Sequence, residues 1–127
     1  MMRPLFIVLL LFLILVDRNV FAQEIPPGMK TYTFVMLTKG QNRTQDSAIV
    51  AKIQAEHLAH IRSMGESGIL DLAGPFMDDG FWRGILVFNS DDSLRVKSLV
   101  EADPAVKAGR LSYEMHPWLA QKGAALR

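Results

Sequence analysis

The stretch QDSAIVAKIQAEHLAHIRSMGES, residues 45–67, decides how the rest of the chain is read. At about 100° per residue on a helix, Ile49, Val50, Ile53, His57, His60, Ile61 and Met64 share one face, while Lys52, Glu56, Arg62 and Ser63 point away from it. The spacing predicts a long amphipathic helix whose apolar side carries two imidazoles. A hydrophobe would pack at position 57 at lower cost, because each ring nitrogen needs a partner once it leaves water. His57 is therefore the first candidate for chemistry. The competing reading makes it a core histidine with one nitrogen satisfied.

Working outward, the N-terminal side divides in two. Residues 1–22 carry Arg3, then twelve consecutive apolar residues from Leu5 to Val16, then Val20-Phe21-Ala22 with small residues at the positions a signal peptidase accepts. A secretory signal cleaved after Ala22 is expected, since a membrane-spanning helix needs roughly 20 apolar residues. No cysteine lies near the cleavage point, which excludes a lipoprotein anchor. The destination is secreted or periplasmic. Removing Arg3, Arg18 and Asp17 from the 14 basic and 13 acidic residues leaves twelve of each, an electrically neutral domain. No clustered basic run remains, so no nucleic-acid partner is expected, and no membrane partner after signal cleavage. The chain has no cysteine, which excludes disulfides, thiol nucleophiles, zinc–thiolate sites and iron–sulfur clusters.

Residues 23–30 hold Pro26-Pro27-Gly28 and read as an extended lead-in. Residues 31–38 are β-branched and aromatic, apolar on both alternating sides, and predict a central strand. After a polar loop at 39–43 the helix starts near Asp46, taken as an acidic first-turn residue. Gly65 and Gly68 end it. A short strand at 69–73 stopped by Gly74-Pro75, a turn around Asp78-Asp79-Gly80, and a strand at 82–89 follow. Residues 90–92 offer caps for a second helix, with Leu94, Val96, Leu99 and Val100 as its buried side. Asp103-Pro104 opens one further turn closed by Gly109, and residues 111–115 make the fourth strand. The order βαββαβ predicts a ferredoxin-like α+β fold with a four-stranded antiparallel sheet over residues 31–120, and a tail at 121–127. Helices cover one face of such a sheet. Strands apolar on both faces leave the other in need of a cover, and a second copy of the sheet is the simplest one, so a homodimer through the sheet faces is expected.

His57-Leu58-Ala59-His60-Ile61, Gly68-Ile69-Leu70, Ala73-Gly74-Pro75, Glu101-Ala102-Asp103-Pro104 with Ala108-Gly109, and His116-Pro117-Trp118 occur in that order. In this order and spacing, from about Tyr32 to Trp118, the chain resembles the YCII-related (YciI-like) family of dimeric α+β barrel proteins. The resemblance implies that His57 and Asp103 form an active-site dyad, and it gives His60 no role. A few members of that family act on ring compounds, as dehydrochlorinases or lactone isomerase-like enzymes. A leader is a departure, because many members are cytoplasmic.

The residues lend the dyad a mechanism of their own. A carboxylate on one ring nitrogen fixes the tautomer and leaves the other nitrogen to take or give a proton. Gly74 and Pro75 are expected to shape a pocket wall, with Phe76, Met77 and Trp82 as apolar lining for a small-molecule ligand. Elimination or isomerisation without a cofactor fits better than hydrolysis, for Ser63, Ser67 and Ser112 lie in no nucleophile motif. Asp103-Pro104 also suits an ordinary N-cap with proline at the first helical position. The alternative function is a non-catalytic small-ligand-binding or interaction domain. His57, His60 and His116 lack an accompanying acidic ligand motif, and no metal site is expected from them.

Overall fold

Alternation of β-branched and aromatic residues sets up the central strand, and two edge strands turn out longer than their sequence suggests. The computed structural model describes residues 24–127, so the leader expected at 1–22 lies outside the described residues. Its elements are β1 (Met29–Lys39), α1 (Ser47–Glu66), β2 (Leu70–Pro75), β3 (Trp82–Phe88), α2 (Ser93–Glu101), α3 (Pro104–Lys107) and β4 (Leu111–Gln121). The four strands form one antiparallel sheet in the order β2-β3-β1-β4. This is the ferredoxin-like βαββαβ arrangement that the pattern predicts.

Both edge strands absorb a proline that the sequence reading took for a stop or left outside the strand. Gly74 and Pro75 belong to β2 and pair with Ile85 and Gly84, so they extend the strand instead of ending it. Strand β4 runs through Pro117 to Gln121 and stays in register with β1 down to Met29, which draws the end of the expected lead-in into the sheet. A proline is tolerated where its missing N–H would face away from the single neighbouring strand, and β2 and β4 are the two edges.

The helices start and stop for local reasons. Asp46 is the N-cap of α1, not a first-turn residue, and its side chain accepts from the Ile49 N–H at 2.9 Å. Ser67 is the C-cap, and Gly68 follows at φ 79°, a left-handed backbone that costs a side-chain-bearing residue more than glycine. Asp92 caps α2 through the Arg95 N–H at 3.1 Å.

The core lies between the helices and one sheet face. Val35, Leu37, Leu70, Leu86 and Phe88 from the sheet meet Met64, Ile69, Val96 and Val100, with Ile61, Leu99 and Tyr113 packed beside them. Two expected core residues are not in it. Leu94 is 79% exposed, because two residues of helix turn it about 200° away from the buried Val96. Ile49 is also exposed, since the N-terminal half of α1 overhangs a cavity and does not reach the sheet core.

Among the described residues no helix covers the other sheet face. Register puts Tyr32, Phe34 and Met36 of β1 on the side opposite the buried Val35 and Leu37, beside Val87 and facing His116 and Trp118 of β4. Trp118 stands 6.0 Å from the Phe34 ring and 6.4 Å from the Tyr32 ring.

Replacing Phe88 by alanine is expected to cost about 3–5 kcal/mol in chemical denaturation, the range for a buried phenylalanine. Leu94→Ala is expected to stay within about 0.5 kcal/mol. Comparable costs for the two would mean that α2 packs through a different face.

Candidate functional site

Helix α1 and the helical turn α3 meet through two side chains, and the site is built from that meeting. His57 projects from α1 and its Nδ1–H donates to Asp103 Oδ2 at 2.6 Å. Asp103 is 1% exposed, and its other oxygen, Oδ1, accepts from the Ala105 N–H at 2.8 Å as the N-cap of α3. Pro104 at the first helical position leaves Ala105 as the first residue with an N–H to offer. One carboxylate therefore both caps a helix and holds an imidazole. The two sequence readings of Asp103, cap or dyad member, are one arrangement.

With Nδ1 engaged, the remaining ring nitrogen of His57 makes no hydrogen bond among the described residues. The imidazole lines a cavity of about 340 Å³ beneath the overhanging half of α1. That volume lies at the lower end of the roughly 300–1,000 Å³ typical of small-molecule sites. Val50, Ile53, Leu58 and Ile61 of α1 face Leu37 and Leu86 of the sheet across it, and Ala73, Gly74 and Pro75 close the β2 side. The arrangement can place an apolar small molecule against a proton-accepting or proton-donating nitrogen.

Gly74 and Pro75 thus stand where the sequence places them, in the cavity wall. Phe76, Met77 and Trp82 do not: none of the three lines the cavity. Phe76 and Trp82 pair with each other, ring centres 6.3 Å apart, with Trp82 59% exposed, and Met77 is almost fully exposed. The turn at Asp78-Asp79-Gly80 instead touches the cavity through Arg83, whose Nη1 donates to Asp79 Oδ1 at 3.2 Å. The other histidines separate. His60 Nε2–H donates to the Leu99 carbonyl at 2.8 Å and ties α1 to α2, whereas His116 lies on the open sheet face beside Glu114. Among the described residues no group of three or more His, Cys, Asp or Glu side chains is placed to hold a metal ion.

Three cavity residues went unseen in the sequence: Arg43 before α1, Arg83 in β3 and Arg110 before β4. Their convergence follows from a close approach of two loops. The Gly40 N–H donates to the Arg110 carbonyl at 2.8 Å and the Asn42 N–H to the Gly109 carbonyl at 2.9 Å. A Cβ on Gly40 would sit 2.0 Å from the Gly109 carbonyl oxygen, so only glycine lets the loops touch. Arg43 then reaches the Arg110 carbonyl through Nη1, while Arg110 Nη1 donates to Gln45 Oε1 at 3.1 Å. Burial first, then the like charges of Arg110 and Arg83, lower the Arg43 pKa from its ordinary value, with Asp79 offsetting part of the effect. The one available sequence signal was Gly40 ahead of Arg43. Nothing local shows which distant loop it touches.

Comparison with known proteins agrees with this architecture. No curated protein sequence matches the chain. Among solved structures, the 5-chloro-2-hydroxyhydroquinone dehydrochlorinase of Burkholderia phenoliruptrix, determined in complex with 2,5-dihydroxybenzoquinone, is similar at 22% identity. That match covers 68% of this chain and 92% of the other, with a TM-score of 0.52. Muconolactone isomerase is similar at 10% identity over 76% of this chain and 95% of its own, with a TM-score of 0.57. Likeness at these identities bears on the fold, which is that of the dimeric α+β barrel proteins. The profile of the YCII-related domain matches residues 32–119, most of the described chain. On that match, and on the fold that carries it, this chain belongs to the YCII-related family.

Proposed function

We propose that the protein is a cofactor-independent enzyme of elimination or isomerisation acting on a small organic molecule. One observation carries the reading: a solvent-shielded carboxylate holds Nδ1 of His57 at 2.6 Å while the same imidazole lines a cavity of ligand size. In this reading Nε2 takes a proton from a carbon of the substrate. The electron pair left behind either expels a leaving group, which is elimination, or moves the double bond and is reprotonated by the same nitrogen, which is isomerisation. Asp103 fixes the tautomer and stabilises the imidazolium that forms. Gly74 and Pro75 supply the wall against which the substrate lies. The dehydrochlorinase and isomerase of the same fold support this class of chemistry.

A second reading keeps the pocket without the chemistry. It draws on the cap at α3, which gives Asp103 a structural use whether or not His57 reacts. In that case the protein is a ligand-binding domain.

The assembly and location belong to the same proposal. Two copies pair through the uncovered sheet face of Tyr32, Phe34, Met36, Val87 and Trp118, and the mature chain begins at Gln23 in a periplasm or outside the cell. The apolar character of that face and the composition of residues 1–22 support these two points.

Assay of chlorinated hydroquinones and unsaturated lactones, read by chromatography, tests the chemistry. His57→Asn and Asp103→Asn are each expected to lower turnover by about 10²–10⁴-fold with the circular dichroism spectrum kept, because each removes the oriented proton acceptor. Turnover that survives His57→Asn would remove His57 as the proton-transferring group, and a wild type inert to the whole set that still binds 2,5-dihydroxybenzoquinone would favour the binding domain. In light scattering the wild type is expected at twice the chain mass and Phe34→Lys at the monomer mass; a monomeric wild type at micromolar concentration would sink the pairing. Sequencing the N-terminus of protein exported from a bacterial host is expected to begin at Gln23, and an intact Met1 in the exported fraction would contradict cleavage.

A further inference from the structure

The cavity is apolar along α1 and the sheet, yet one end of it collects three guanidinium groups. Arg83 is matched by Asp79 at 3.2 Å, a carboxylate that Lys39 shares at 3.6 Å. Arg43 and Arg110 are different: among the described residues neither forms an ion pair, and their polar contacts run to a backbone carbonyl and to the neutral Gln45. A guanidinium carries five N–H donors and stays protonated at any working pH. Both groups therefore keep donors and charge to spend on a ligand. The like-charge crowding that acts on Arg43 points the same way, because an anion between the guanidiniums would relieve it. Solvent alone would satisfy arginines on an open surface, but these two are half-buried and border an apolar chamber.

We propose that the cavity takes a small organic acid, an apolar body bearing a carboxylate, with the carboxylate held between Arg43 and Arg110 and the body lying beneath α1 against His57. The acid's apolar part is accommodated by Ile53, Ile61, Leu37 and Leu86, and its charged end supplies the direct ion-pair partner that, among the described residues, neither Arg43 nor Arg110 has. A planar carboxylate matches the fork of a guanidinium in two parallel hydrogen bonds, which a neutral amide of the same shape cannot reproduce. This deepens the catalytic reading, on which the role of His57 rests, but the anion-binding step stands without turnover.

The test is a calorimetric titration of the purified protein with benzoate, 4-hydroxybenzoate and cyclohexanecarboxylate, each beside its amide, and with inorganic phosphate alone. At least one acid is expected to bind about tenfold or more tightly than its amide, as charge-assisted hydrogen bonds warrant. The Arg43→Gln/Arg110→Gln double variant is expected to erase that preference, while Arg95→Gln, on exposed α2 surface, keeps it. The acid-against-amide comparison is made on the wild type, so it stands if the double variant fails to fold. Equal binding of acids and amides, no acid binding at millimolar concentration, phosphate binding with no acid binding, or a preference that survives the double substitution would each overturn the proposal. An acid preference in the wild type, together with no turnover of the chlorinated hydroquinones and unsaturated lactones, would sink the catalytic reading and leave the anion site in place.

Discussion

A carboxylate taken out of water has to find donors, and the fold supplies Asp103 with two. Its Oδ1 is satisfied by the Ala105 N–H and its Oδ2 by His57, so the short turn α3 and the long helix α1 are joined through a single buried side chain. Much else depends on that joint. It fixes the rotation of α1 and thereby sets Ile61 and Met64 into the core while Val50 and Ile53 overhang the sheet. The cavity is the space that results. Loss of either partner would leave a buried polar atom without its hydrogen bond, a cost of about 1–3 kcal/mol. In this protein the geometry that orients the imidazole is the same geometry that seats the helix.

A sheet with helices on one side poses a second constraint. Along β1, Val35 and Leu37 pack inward while Tyr32, Phe34 and Met36 face out, so the strand is apolar by both parities. The outer residues gather around Trp118, and among the described residues no layer covers them. The one-sided sheet explains why β4 is long. An edge strand of eleven residues extends the outer face as far as Trp118, and without residues 116–121 that face would lose its largest aromatic.

What the sequence made legible were features carried by local pattern. The 3.6-residue period put His57 on the inner side of α1, Asp103-Pro104 announced a cap, and the alternation in residues 31–38 announced a central strand. What it hid depended on partners far along the chain. Pro75 looked like a stop and Pro117 fell outside the expected strand, because whether a strand tolerates proline depends on being an edge, and edges exist only once the sheet is ordered. Leu94 was misplaced for a different reason: in a nine-residue helix the cap and two valines already set the phase, and position 94 lies across from them. Phe76 and Trp82 looked like pocket lining because aromatics beside a turn suit that role, but the two rings pack against each other outside the cavity. The arginines were least visible. Each sits in an unremarkable polar context, and only the contact of the Gly40 loop with the Gly109 loop brings Arg43 to Arg110.

The β2 side of the cavity is made from Ala73, Gly74 and Pro75, three residues with almost no side-chain freedom, whereas the α1 side carries Ile53, Leu58 and Gln54, which have several rotamers each. The chamber thus has one wall that cannot yield and one that can. A molecule entering it meets a fixed template on the strand side, where contact is made with little loss of side-chain entropy. Adjustment to its shape falls to the helix. Over evolutionary time the same asymmetry would let the shape of the chamber change by exchange of residues along a single helical stripe, leaving the sheet and the His57–Asp103 hydrogen bond undisturbed.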